Sequence, residues 1–186
     1  MEVSSHAIHQ KIIAGLSFKG GVFTNITHDH LDYHKTFKEY IDVKKAFFDQ
    51  LNPNAFALVN VDDKNGRVMV QNTRANVKTF AMKTIADYKV KVFENQFSGL
   101  LMLINEKEMW SKLIGDFNAY NLAAVYGVAM LLDQAEEEVL PLLSNLESVD
   151  GRFQYFISAS GVTTIVDYAH TPDALENVLK AIANIR

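Results

Sequence analysis

Residues 24–45 read TNITHDHLDYHKTFKEYIDVKK, and the reading of this stretch decides how the rest of the chain is organised. It continues an apolar, β-prone segment, Gly21-Val22-Phe23-Thr24-Asn25-Ile26. The run His28, Asp29, His30, Asp32, His34 therefore falls where a strand gives way to a helix. Ligands of open α/β sheets bind at such strand ends. The next segment places Phe37, Tyr40, Ile41, Phe47, Phe48 and Leu51 on the 3.6-residue stripe of a core-packed helix, predicted over residues 36–51.

Two readings of the imidazole and carboxylate run stay open at this point. In one, at least one histidine binds a metal or a phosphate. In the other, Thr27 or Asp29 caps the helix while His28 and His34 are ordinary polar surface groups. Lys44, inside the apolar stripe, has two readings as well. Either its stem lies along the stripe with the ammonium reaching water, or it is buried beside the histidines. Desolvation then lowers its pKa and frees a neutral amine. Such an amine can react with carbon dioxide, and the resulting carbamate is an anionic oxygen ligand suited to Mg²⁺.

Composition bounds the function. With 186 residues the chain can build one good core and part of a second domain. A formal charge of −4 without basic clusters argues against a nucleic-acid partner. No segment approaches the ~20 apolar residues of a membrane span, and no secretory pattern opens the chain. The absence of cysteine excludes disulfides and thiolate metal sites. A cytoplasmic location fits these features. The chain opens on what reads as a strand end running into a site and closes inside a helical pattern, so a piece of a larger enzyme is expected.

In order, MEVSSHAIHQ sets Glu2, Ser4, Ser5 and His6 after a strand end, where they either face a ligand or cap the next helix. Five of the six histidines lie within the first 34 residues, which favours a polar site at this end. Beyond Pro53, AFALVNVDD reads as a strand buried on both faces, as parallel strands are. A short helix is predicted within 63–73 and a strand over 77–82. Residues 87–113 read as three short antiparallel strands.

Gly115-Asp116-Phe117-Asn118 opens a further helix. There Asn118 is expected as N-cap, and Asn121, three residues on, shares its face with an amide free to read a ligand. A second helix covers 134–146, its acidic run Glu136-Glu137-Glu138 suiting a solvated first turn. A domain boundary is placed near residue 150. Two strands, at 154–158 and 162–166, then lead to VDYAHTPDALE, where Thr171 caps a helix with Pro172 at its first position. The expected architecture is α/β: a mostly parallel central sheet flanked by helices, a small antiparallel sheet, and the first strands and helix of a Rossmann-like C-terminal domain.

Taken together, MEVSSHAIHQ, FTNITHDHLDYH, EYIDVKKAFF, GDFNAYNLAA, GRF and VDYAHTPDALE resemble the Mur ligases, in order and over nearly the whole chain. Among these the wording is most similar to the type that adds a diamino acid. The resemblance implies an ATP- and Mg²⁺-dependent enzyme of peptidoglycan synthesis. Such an enzyme joins meso-diaminopimelate or L-lysine to UDP-MurNAc-L-Ala-D-Glu through an acyl phosphate. Residues 1–150 would be the central ATPase domain without its phosphate-loop half, and 151–186 the start of the C-terminal domain.

Residue by residue, the resemblance makes Lys44 the carbamylated lysine and His30 the histidine sharing its magnesium, both counted as catalytic. Glu2 becomes a ligand of the other magnesium. Ser4 and Gln10 become contacts to the UDP-MurNAc-peptide. Asn121, Arg152 and Asp167 become nucleotide contacts, at adenine, phosphates and ribose respectively. His28, His34 and His170 carry no implied role.

The chain departs from the pattern in two places. Ile12 stands where a substrate-binding arginine is expected, with Lys11 beside it, and no G-x-x-x-x-G-K-[ST] loop occurs. Rival readings are folylpolyglutamate or cyanophycin synthetase, or a non-catalytic nucleotide- or UDP-sugar-peptide-binding module. Without that loop, these residues on their own are expected neither to turn over ATP nor to bind it tightly. Isothermal titration showing tight ATP binding to the isolated chain would contradict this.

Overall fold

The computed structural model describes residues 1–27 and 33–185. Eight strands and six helices follow one another as α1 (Ser5–His9), β1 (Gly20–Phe23), α2 (Phe37–Asp49), β2 (Phe56–Asn60), α3 (Gly66–Met69), β3 (Asn76–Ala81), β4 (Tyr88–Gln96), β5 (Gly99–Ile104), β6 (Lys107–Ser111), α4 (Asp116–Leu131), α5 (Glu136–Ser144), β7 (Gln154–Ile157), β8 (Thr163–Val166) and α6 (Pro172–Asn184) among these residues.

One six-stranded sheet runs β1-β2-β3-β4-β5-β6. The pairings of β1 through β4 are parallel and those of β4, β5 and β6 antiparallel. The antiparallel strands thus extend the parallel sheet. Two reversals leave β6 pointing the same way as β1–β4. Consequently α4 starts at the edge where the parallel strands end.

Strand β2 shows why the sheet holds. All five of its residues are buried, and their alternation divides two cores. Ala57 and Val59 pack with Phe23, Tyr40, Phe48 and Met69 under α2 and α3. Phe56 and Leu58 pack with Phe80, Leu122 and Tyr126 under α4. A third cluster, Ile114, Phe153 and Ala181 with Phe117 and Val178, fastens β7, β8 and α6 to the start of α4. β7 and β8 pair only with each other, antiparallel.

Side-chain caps account for three of the six helix starts among the described residues. Thr36 accepts a hydrogen bond from Glu39 N–H and Thr171 from Ala174 N–H, both as N-caps. Thr27, considered as a cap from sequence, has no such role, and Asp29 lies outside the described residues. The expectation that Asn118 caps α4 is also corrected. Gly115 is the N-cap, with φ 91° and no side-chain cap bond, while the Asn118 amide donates to Ile114 C=O at 2.8 Å. Glycine suits that backbone, since a side chain is strained at positive φ. Within the acidic run of α5, Glu136 is not merely solvated, because it accepts from the Tyr126 hydroxyl.

Leu58 is fully buried between β2 and α4. Leu58→Ala is expected to cost about 3 kcal/mol, from lost transfer energy and the cavity left behind. Urea denaturation should read this as a lowered midpoint with an unchanged slope.

Candidate functional site

The polar end of β2 gathers the neighbouring elements. Asn60 donates from its amide to Thr24 C=O at 2.9 Å, and its carbonyl oxygen accepts from Asp62 N–H at 3.0 Å. Asp63 accepts from Ile26 N–H at 3.1 Å and from Asn65 N–H at 2.7 Å. Asp62 accepts from the amides of Met82 at 2.6 Å and of Lys83 and Thr84 at 2.8 Å each. The Thr84 hydroxyl donates to it as well, as does the Tyr120 hydroxyl at 2.8 Å. One four-residue stretch, Asn60-Val61-Asp62-Asp63, thereby ties the exits of β1 and β3 and the first turns of α4 to β2. Reading AFALVNVDD as a strand missed this. Its signal was two carboxylates directly after a buried strand.

These bonds fix the electrostatics of Asp62. Burial acts to raise its carboxyl pKa and is outweighed by hydrogen bonds from the Thr84 hydroxyl and the three amides, which hold it far below the ordinary carboxylate range. Burial pushes the Tyr120 phenol well up, and the bond to Asp62 adds to it. The pair is thus a neutral donor on a fixed anion.

Three adjoining cavities lie along this edge, and Asn25 lines all of them. The first, about 480 Å³, is lined by Glu2, Thr24, Asn25 and Lys44. Lys44 is half-buried, its Nζ 5.6 Å from the Tyr40 ring centre. It turns toward the cavity shared with Glu2, so neither full solvation nor full burial describes it. The more buried lysine is its neighbour Lys45, paired with Asp49 at 2.6 Å. His28 and His30 lie outside the described residues. His34 is no surface group: it is 1 % exposed and stacks on Tyr40 with ring centres 5.3 Å apart.

Ser4 and Gln10 line none of these three cavities. Ser4 caps α1, accepting from Ala7 N–H at 3.1 Å. Gln10 is exposed at the far end of that helix, 3.4 Å from the Tyr33 hydroxyl.

The second cavity, about 490 Å³, is lined by Asp62, Lys83, Tyr120 and Asn121. The third, about 710 Å³, brings together Asn121, Arg152 and Asp167. These three residues lie far apart in sequence, on α4, before β7 and after β8. Asn121 donates to Asn118 Oδ1 at 3.2 Å, which orients its amide. Asp167 accepts from Phe153 N–H at 2.8 Å and Ala169 N–H at 2.7 Å, clamping the Gly-Arg-Phe turn to the loop before α6. The Arg152 guanidinium stands over the Tyr168 ring at 5.1 Å. Each Asp167 oxygen keeps a second lone pair for a ligand hydroxyl. Among the described residues, no three His, Cys, Asp or Glu side chains are grouped to hold a metal ion. No helix there is long and apolar enough to cross a membrane.

Comparison with known proteins finds similarity over the whole chain. The model of the Mur ligase middle domain matches residues 1–129, and that of the Mur ligase glutamate ligase domain matches residues 151–186. A UDP-N-acetylmuramoyl-L-alanyl-D-glutamate–2,6-diaminopimelate ligase of Cytophaga hutchinsonii is 58% identical over 186 residues, covering 100% of this chain and 38% of that relative. A solved structure of a ligase with the same description superposes with a TM-score of 0.80 at 27% identity, over 99% of this chain and 39% of that one. The MurF ligase of Thermotoga maritima in complex with ADP shares the fold, with a TM-score of 0.79 at 21% identity, over 98% of this chain and 42% of that one. The chain thus spans well under half the length of the relatives it matches.

Because the Asp62 carboxyl is depressed in the folded state, its contribution to stability is complete above the unfolded value of about 4 and is lost as pH falls below it. Melting temperatures taken between about pH 3 and pH 7 should therefore drop on the acid side. Asp62→Asn, which has no proton to gain at that position, should show a lower but flatter profile.

Proposed function

This chain belongs to the Mur ligase family, and from that premise we propose that it forms the catalytic middle of an ATP-dependent, cytoplasmic ligase of peptidoglycan synthesis. Residues 1–150 serve as central domain and 151–186 begin the C-terminal domain. The acceptor is UDP-MurNAc-L-Ala-D-Glu and the added group a diamino acid. That the 58% identical relative is a 2,6-diaminopimelate ligase favours 2,6-diaminopimelate over lysine. One observation carries the reading. Glu2 and Lys44 share one cavity, Asn121, Arg152 and Asp167 share another, and Asn25 lines both. A site for phosphoryl transfer to a carboxylate needs this adjacency.

In the reaction, the acceptor carboxylate takes the γ-phosphoryl group of ATP and releases ADP. The amine then attacks the acyl carbon, and the tetrahedral intermediate expels phosphate as the nitrogen loses its proton. Bringing carboxylate and phosphate together opposes two anions, so fixed cations are required. Arg152 supplies one toward the phosphates. The Asn121 amide, a donor and an acceptor, suits the adenine edge, and Asp167 accepts from ribose hydroxyls.

The residues present fit Mg²⁺, which takes one or two carboxylates and substrate phosphates in preference to an all-protein cage. Glu2 would hold one ion, and Lys44, as its carbamate, would hold another with His30. When bound, Mg²⁺ neutralises phosphate charge as it develops. Ser4 and Gln10 belong to the side facing the UDP-sugar peptide.

Phosphate release by the full-length protein, given ATP, UDP-MurNAc-L-Ala-D-Glu and either diamino acid, tests the proposal. Lys44→Ala is expected to lower kcat by roughly 100-fold or more, and Arg152→Ala to raise KM for ATP by about tenfold. Near-normal turnover in Lys44→Ala would remove Lys44 from the mechanism.

A further inference from the structure

Helix α4 carries Asn121 into the third cavity, yet its start lacks a side-chain cap. The backbone at Gly115 is held by Asn95 Oδ1, which accepts its N–H at 3.2 Å, and Asn118 spends its amide on Ile114 C=O. Among the described residues two further polar tethers leave the first two turns: Asp116 accepts from the Asn95 amide at 3.4 Å, within the same neighbourhood as Gly115, and the second reaches much further. The Tyr120 hydroxyl reaches Asp62, 58 residues away at the exit of β2.

Asp62 is itself immobilised by three backbone amides and the Thr84 hydroxyl, so it is a fixed point fastened to two strand ends. A buried Ala119 and Leu122 hold the helix against the sheet, but apolar packing is non-directional. The phenol–carboxylate bond is directional. It constrains the rotation of this turn about the helix axis, the frame on which the Asn118 Oδ1 bond then orients the Asn121 amide. The same carboxylate fixes the backbone of Lys83, whose side chain lines the second cavity beside Tyr120 and Asn121.

We propose that Asp62, acting through Tyr120, is a positioning residue for the nucleotide site, setting the orientation of Asn121 without touching the ligand itself. This rests on the reading of Asn121 as an adenine contact. Outer groups that orient a ligand-binding side chain commonly matter to affinity nearly as much as the contact does.

The test uses the full-length protein with ADP as probe, affinity being read by displacement of a fluorescent ADP analogue and folding by thermal melting. Tyr120→Phe removes one hydroxyl and leaves Asp62 its other four donors. It is expected to weaken ADP about tenfold, with Tm within ~3 °C of wild type. In turnover, KM for ATP should rise with kcat little changed. Asp62→Asn should weaken ADP at least as much and lower Tm as well. Unchanged ADP affinity in Tyr120→Phe overturns the inference. So does weakening accompanied by a larger fall in Tm, since that marks general loosening. Wild-type protein that binds ADP without ligating sinks the ligase reading and leaves this inference intact. Wild-type protein that fails to bind ADP overturns both.

Discussion

Asp62 sits where a fully buried parallel strand runs out of hydrogen-bonding neighbours, and its carboxylate takes over the pairing that the sheet can no longer provide. Three amides after β3, a threonine hydroxyl and a tyrosine from α4 converge on it. Asn60 and Asp63, on either side, do the same for the exit of β1. Loops at strand ends must satisfy their backbone groups somewhere. Here a single polar stretch does so for several elements at once, and the cavity edge inherits its rigidity.

The sheet supplies the other half of the arrangement. Because β6 returns to the direction of the parallel strands, α4 begins on the same edge as the ends of β1, β2 and β3. That brings a helix N-terminus, with its partial positive charge, beside the strand-end loops. The small cluster around Ile114, Phe153 and Ala181 then seats β7, β8 and α6 against α4. Arg152 and Asp167 therefore reach the cavity that Asn121 enters. The Asp167 carboxylate holds the Arg152-Phe153 turn in place, so a residue offered as a ribose contact is also part of the scaffold that aims its neighbour.

Two adjacent lysines on α2 show how finely placement divides similar residues. Lys45 is buried and committed to Asp49, whereas Lys44, one residue earlier and about 100° around the helix, lines the cavity with Glu2. From sequence, only Lys44 was placed in the apolar stripe. Only the direction of each side chain from the helix separates them.

Much was legible in the residues themselves. The α/β class, the buried strand AFALVNVDD, the antiparallel addition and the Thr171-Pro172 helix start follow from period, β-branching and capping chemistry, all of which act over a few residues. The ordered motifs pointed to the family. Tertiary structure decided the rest. It moved the α4 cap from Asn118 to Gly115, buried His34, realised the capping reading of Ser4, and revealed the end of β2 as an organiser. The polar contacts that organise the site depend on partners distant in sequence, Tyr120 lying 58 residues from Asp62 and Phe153 14 from Asp167. Local propensity carries no information about which distant donor a carboxylate will meet. Sequence thus determined the elements and the chemistry available to them, while packing determined which of those groups share a cavity.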